Sequence, residues 1–210
     1  ETPAQAQDAS ELVQVDYEEL PAVTATAEAP KPGAPRVWDD CPDNICFVEL
    51  IGDKAAVETA FSRASHIVRH RFVINRVTAA TMEPRGAVGD YNATDGRYTI
   101  YTPMQRPHPT RTELAKVLKV PESKIRIITG DTGGSFGMKT PIFNETPLVL
   151  LASRLTGRPV KWISTRTEAF LSDAQARDNV TEAELALDSD GHFFAAFDRD
   201  LPREFQRCLG

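Results

Sequence analysis

Cysteine is nearly absent from this chain, with three residues in 210: Cys41, Cys46 and Cys208. Only the first two are near one another, and no histidine stands close enough to complete a zinc set with them. They read as free thiols in a reducing compartment, which predicts a cytoplasmic protein. An excess of base is also missing. Lys and Arg number 24 against 30 Asp and Glu, a net charge of −6, and this argues against nucleic acid as a partner. No apolar run approaches the ~18 residues of a membrane helix. The start, Glu1-Thr2-Pro3-Ala4, has neither the basic region nor the apolar stretch of a secretory signal.

What is present is an ordinary globular composition, 41% hydrophobic and 26% charged, enough to bury a sizeable core in one domain or two small ones. The charge is uneven. Residues 1–35 hold seven acids and one base, which accounts for the whole net charge, and the remainder balances at 23 of each sign. Five of the fifteen prolines (Pro21, Pro30, Pro32, Pro35 and Pro42) fall within residues 21–42, where fixed φ and missing N–H groups oppose helix interior and central strand alike. Residues 24–46 therefore read as a linker. Ahead of it, Gln5–Val13 suggests a short helix and Val13–Tyr17 a strand, too little to bury a core alone. Residues 1–23 look like the end of a preceding domain, and residues 47–210 like the body of the fold.

Within that body, Ala56, Val57, Ala60, Phe61 and Ala64 form a helical stripe. Val68, His70, Phe72 and Ile74 then alternate with Arg69, Arg71, Val73 and Asn75, which is strand periodicity. His66 and His70 share a face there and are read as structural, not as metal ligands. Asp95-Gly96 marks a hairpin between Tyr91 and Arg97–Tyr101. A helix over Thr110–Leu118, a strand over Lys124–Thr129, a helix over Thr146–Leu155, a strand over Val160–Ile163 and a helical turn over Thr167–Leu171 follow. A second hairpin turns at Asp188–Gly191. Strands and helices mix without strict alternation, which predicts an α+β fold with helices packed on mixed sheets.

The most informative stretch is Gly130-Asp131-Thr132-Gly133-Gly134-Ser135-Phe136-Gly137-Met138-Lys139, set between a predicted strand and a predicted helix. Its glycines admit positive φ, which costs other residues ~1–2 kcal/mol each, and let backbone N–H groups approach a ligand. A tight strand-to-helix turn needs no more than this. A phosphate loop needs glycine directly before the Lys and Thr, where Met138 stands, and the spacing also fails the dinucleotide fingerprint.

The run Gly133–Lys139 resembles the GG-x-FG-x-K loop of the molybdenum hydroxylases, the family of xanthine dehydrogenase, aldehyde oxidase and aerobic carbon monoxide dehydrogenase. Four further segments resemble that family's molybdopterin-binding large subunit in the same order: NRVTAATMEPRGAVGDY (Asn75–Tyr91), YTPMQRPHPTR (Tyr101–Arg111), GRPVKWISTRTE (Gly157–Glu168) and LALDSDGHFFA (Leu185–Ala195). Ala6–Val23 is similar to the close of the hammerhead domain that precedes it. The resemblance implies oxidative hydroxylation of an aldehyde, an aza-aromatic ring or a similar small substrate with water-derived oxygen. It implies a molybdenum–molybdopterin cofactor, in the cytosine dinucleotide form by likeness to the carbon monoxide dehydrogenase large chain. The implied partners are the remainder of the molybdopterin subunit, an iron–sulfur subunit and an FAD subunit.

Residue by residue, the resemblance gives Gln105 a side-chain amide contact to a molybdenum oxo group, whereas spacing alone would have it cap the loop before the Pro107 helix. It makes Gly133, Gly134, Ser135, Phe136 and Gly137 the cofactor loop, with Phe136 as a wall and Gly137 acting through its N–H. No residue of this chain is implied as a metal ligand. Arg166 with Glu168 reads as a structural ion pair, and Glu83 and Arg85 as structural. Ser135 replaces a frequent glycine, Gln175–Asn179 lacks two histidines frequent in the family, and Asp200–Gly210 departs from the family pattern. The family's catalytic glutamate is not found, so the chain is expected to be incomplete for catalysis alone. Two alternatives stand beside this reading: a non-catalytic docking module, and a phosphate-binding NTPase built on Lys139.

Overall fold

In the computed structural model, residues 2–201 are described; Arg203, Glu204, Arg207 and Cys208, in the divergent tail, lie outside them. The elements, in chain order, are α1 (Pro3–Glu11), α2 (Lys54–Ser62), β1 (His66–Ile74), β2 (Val77–Thr78), β3 (Gly86–Asn92), β4 (Arg97–Tyr101) and α3 (Pro107–Leu118). Then come β5 (Ile125–Ile128), α4 (Glu145–Thr156), β6 (Val160–Ile163), α5 (Arg166–Ser172), β7 (Gln175–Ala176), β8 (Asn179–Leu187) and β9 (Phe193–Leu201). The fold is α+β with mixed sheets, as the element pattern predicts. No helix among the described residues is long and apolar enough to cross a membrane.

The chain divides into two compact units: residues up to Ile74 together with those from Asp178 onward, and Asn75–Arg177. The first is built on an antiparallel sheet in the order β1-β8-β9, with α2 against β9. His66 and His70 lie on β1 opposite Leu187 and Ala183. Four residues of strand separate them by ~13 Å, too far for one metal ion. The proline-rich stretch is organised by Asn44, a buried residue at φ 57°. Its amide accepts from Val37 N–H at 2.9 Å and donates to the carbonyls of Ala29 at 2.8 Å and Pro35 at 3.0 Å.

One expectation fails in this unit. Val13–Tyr17 forms no strand, because alternation in a single run supplies no neighbouring ladder to pair with. Cys41 is a free thiol, as expected.

The second unit carries the main core. Its sheet runs β5-β4-β3-β6, with β4 and β5 parallel and the other pairs antiparallel. The crossover from β4 to β5 is α3, which begins at Pro107 and so earlier than its apolar stripe suggests. Proline suits a first turn whose N–H has no acceptor. Alternation along β4 turns Tyr98 and Ile100 inward, where they meet Leu114 and Ala115 of α3 and Val149 and Leu150 of α4. Where β6 stops pairing at Gly89, the buried Ser153 of α4 takes over, its hydroxyl accepting from Tyr91 N–H at 2.9 Å.

Gly89 sets how closely α4 can lie on the sheet. A Cβ there would stand 2.7 Å from the carbonyl carbon and oxygen of Val149 and 2.9 Å from Leu150 N, and helix backbone cannot move aside as a side-chain end can. Gly89→Ala should therefore destabilise by about 1–3 kcal/mol, the usual cost of overpacking. At Gly86 the nearest atoms would be 3.4 Å away, so Gly86→Ala should stay within about 0.5 kcal/mol of the parent. Urea midpoints measured side by side test this, and equal midpoints for the two variants would contradict it.

Candidate functional site

The glycine-rich loop leaves the end of β5 and reaches α4 through a tight reversal. Three residues within it have positive φ: Gly134 at 101°, Phe136 at 54° and Gly137 at 93°. Phe136 takes this strained conformation while its ring is 82% exposed, so packing of the ring does not enforce it. The loop's inner residues do. Ser135, Met138 and Lys139 are buried; Met138 N–H donates to Ser135 O at 2.9 Å, Lys139 N–H to Ser135 Oγ at 3.0 Å and Thr140 N–H to Gly137 O at 3.2 Å. The turn is closed from inside, and Phe136 and Gly137 are left facing outward.

A second segment braces the loop. Glu83 Oε2 accepts from Gly133 N–H at 2.8 Å and from Lys139 Nζ at 2.7 Å, and Glu83 N–H donates to Gly133 O at 3.1 Å. A Cβ on Gly133 would lie 2.6 Å from Glu83 Cβ, so the close approach requires glycine. Burial alone pushes the Glu83 carboxyl up. The hydrogen bonds from Lys139 and Gly133, with the Lys139 charge, outweigh it and hold the group below its ordinary value. The bracing segment is itself fixed: Thr81 Oγ1 donates to Glu83 O at 2.7 Å, and the Arg166 guanidinium donates to Thr81 O at 2.7 Å and Met82 O at 3.0 Å. The expected Arg166–Glu168 pairing gives way to separate uses, because the Glu168 carboxylate accepts from Thr165 N–H at the start of α5. Main-chain groups left over at a turn and a helix end take up both side chains.

Gln105 stands at the other end of the loop. Its N–H donates to Lys139 O at 3.3 Å, and its Oε1 accepts from Thr140 Oγ1 at 2.7 Å. The hydroxyl thereby orients the amide and leaves the NH₂ end to donate outward, since the side chain is exposed. The structure thus brings Gln105 beside the loop that carries Gly133, Gly134, Ser135, Phe136 and Gly137. Sequence reasoning missed Thr140, missed Lys139 as an anchor, and gave Glu83 no link to the loop. A lysine and a threonine at fixed spacing after the glycines were the available signal.

The outward face suits a group rich in hydrogen-bond acceptors. The N–H groups of Gly134, Ser135, Phe136 and Gly137 find no acceptor among the described residues, which leaves them available to acceptors from outside. No atom lies within 4 Å of where a Gly137 Cβ would project. Lys139, by contrast, is 3% exposed and paired with Glu83, so the NTPase alternative loses its phosphate-binding lysine. Among the described residues, Asp188, Asp190 and His192 form a group of possible metal ligands, but Asp188 Oδ1 is taken by the turn's own N–H groups.

The model of the molybdopterin cofactor-binding domain matches residues 37–199, and the chain belongs to that family. It is 36% identical over 198 residues to the carbon monoxide dehydrogenase large chain of Hydrogenophaga pseudoflava, covering 89% of this chain and 25% of that protein. It is 35% identical to the nicotine 6-hydroxylase large subunit of Paenarthrobacter nicotinovorans, covering 91% of this chain and 23% of that one. Among solved structures, the Cu,Mo-CO dehydrogenase in its carbon monoxide reduced state superimposes with a TM-score of 0.88 at 32% identity, over 94% of this chain and 26% of the other. Quinoline 2-oxidoreductase from Pseudomonas putida 86 gives 0.86 at 39% identity, over 95% and 25%. The chain spans about a quarter of the length of the relatives it matches.

The Glu83 brace should be sensitive to acid. A carboxylate held below its ordinary value in the folded state stabilises fully above the unfolded value of about 4.3 and loses that contribution as pH falls through the lower folded one. Glu83→Gln mimics the protonated group. Its melting temperature should lie below the parent's at pH 7, and the gap should narrow as the pH is taken below about 4. A gap that is constant across a calorimetric pH series would show that the carboxylate charge plays no part.

Proposed function

We propose that this chain forms the cofactor-loop segment of the molybdopterin-binding subunit of a molybdenum hydroxylase. The observation that carries the reading is the Gln105 amide, oriented by Thr140 beside a loop with four unpaired N–H groups. Gly133, Gly134, Ser135, Phe136 and Gly137 would hold the molybdenum–molybdopterin cofactor, which when bound supplies oxidative hydroxylation of a carbon centre. The chain's own part is to bind and orient. The outward N–H groups donate to acceptor atoms of the cofactor, the Gln105 NH₂ donates toward an oxo group, and the exposed Phe136 ring forms a wall that keeps water from that side.

Finer features belong to the same proposal. Likeness to relatives named for nicotine and quinoline supports an aza-aromatic substrate or a related small molecule. Likeness to a carbon monoxide dehydrogenase large chain supports the cytosine dinucleotide form of the cofactor. Relatives named as large chains, or as a subunit of a dehydrogenase complex, support iron–sulfur and FAD partner subunits beside the remainder of the molybdopterin subunit. Residues 1–23 are read as the end of a hammerhead domain and residues 24–46 as a linker. Helix α1 has no buried residue, and Leu12, Val13 and Tyr17 stay exposed, which fits a segment whose core lies elsewhere.

The test is made on the full enzyme that contains this segment. Molybdenum analysis of the purified protein should give close to one metal per molybdopterin subunit, and a protein purified without molybdenum would overturn the reading. Loss of one preorganised hydrogen bond at a reacting centre costs ~10²–10³ in rate, so Gln105→Ala should lower kcat by about that factor. Because Gln105 is exposed, its stability should change by no more than about 0.5 kcal/mol. Thr140→Val should show the same pattern to a smaller degree, and unchanged kcat in both variants would remove Gln105 from the site.

A further inference from the structure

We propose that Glu83 and Lys139 are positioning residues that together hold the glycine loop in the shape that receives the cofactor. The inference rests on the reading of this loop as the cofactor loop. One carboxylate oxygen bonds both ends of the loop, Gly133 N–H at 2.8 Å and Lys139 Nζ at 2.7 Å. The four unpaired N–H groups and all three positive-φ residues of the loop lie between those two points. A strained segment of this kind persists only where its surroundings over-determine it.

Two details separate a clamp from an incidental ion pair. The Lys139 side chain is 2% exposed, against 38% for Glu83. A buried ammonium without a partner is strongly disfavoured, so the lysine keeps Glu83 in place as much as the reverse. Second, Lys139 also ties the inner turn through its own main chain, donating to Ser135 Oγ and accepting from Gln105 N–H. Displacing the lysine would therefore disturb the glycine turn and Gln105 at once. Glu83 is fixed on its own side by Thr81, and Thr81 by Arg166. Lys139 Nζ and Glu83 Oε2 are bonded to each other, and Glu83 Oε2 also to Gly133 N–H, so both act on the cofactor through the loop they hold.

The experiment uses the full enzyme, with Glu83→Gln, Lys139→Met and the double variant. Molybdenum per folded subunit, retained through gel filtration, is measured beside the melting temperature. Loss of groups that orient a metal site from behind lowers metal affinity about 10–100-fold, and each single variant should lose most of its metal. The double variant removes both charges, so no ammonium is buried alone. It should regain much of the melting temperature of the parent while remaining poor in molybdenum. Metal content that recovers in step with stability in the double variant, or stays at the parent level in both single variants, would overturn the proposal. A parent enzyme that holds no molybdenum would overturn the functional reading itself.

Discussion

A single buried guanidinium ties together the elements on which the glycine loop rests. Arg85, 5% exposed at the start of β3, donates from Nε to Asp173 at 2.6 Å, from Nη1 to Glu145 at 2.7 Å and from Nη2 to Ser172 Oγ at 2.7 Å. Its plane stacks over Phe143 at 3.9 Å. Those partners come from the first turn of α4, the end of α5 and the loop that leads into α4. A lysine could not replace it, because the point charge of an ammonium offers neither the planar fork nor the stacking face. Desolvation offsets much of the Coulomb gain of such a buried cluster, so its main contribution is geometric: it sets where α4 begins, and the glycine loop must end there.

From that anchor the loop divides its residues by direction. Ser135, Met138 and Lys139 turn inward and spend their polar groups on the turn itself. Phe136 and Gly137 turn outward. A left-handed φ at a phenylalanine costs ~1–2 kcal/mol, and the inner hydrogen bonds and the Glu83 brace offset it. An exposed aromatic ring held at such a cost has no packing role within the second unit. Its position makes sense as a surface offered to something outside these residues.

Local features of the chain were legible in advance, and long-range pairings were not. Pro107 and the Leu114 stripe announce α3, Gly157 announces the end of α4, and the alternation through Tyr98 and Ile100 announces β4, because each depends on neighbours within a few residues. Glu83 and Lys139 stand 56 residues apart, and Arg85 and Asp173 stand 88 apart. Nothing in either local sequence marks a partner at such a distance. That Gln105 lies beside the glycine loop was legible only by resemblance, since spacing alone fits an ordinary turn and an ordinary loop cap. The spacing after the glycines marks Thr140 as a residue of the loop, but a threonine after a lysine says nothing of a glutamine 35 residues earlier. Val13–Tyr17 shows the reverse case, a local pattern without a ladder to realise it.

The direction of Lys139 decides what kind of ligand the loop can prefer. In a phosphate loop the lysine follows the glycines and reaches forward, so cation and N–H groups converge on the same phosphates. Here the ammonium turns back onto Glu83 and is neutralised there. The loop's unpaired N–H groups are therefore not joined by a free cation from the loop's own lysine. A triphosphate would give up much of its solvation for partial charges alone, which is a poor exchange. A ligand that brings other surface of its own to bury, such as a flat body laid against the exposed Phe136 ring, would not depend on its phosphate contacts alone. On the proposed reading, a glycine loop followed by lysine and threonine serves a chemistry other than phosphate binding here, because a carboxylate 56 residues away holds the lysine.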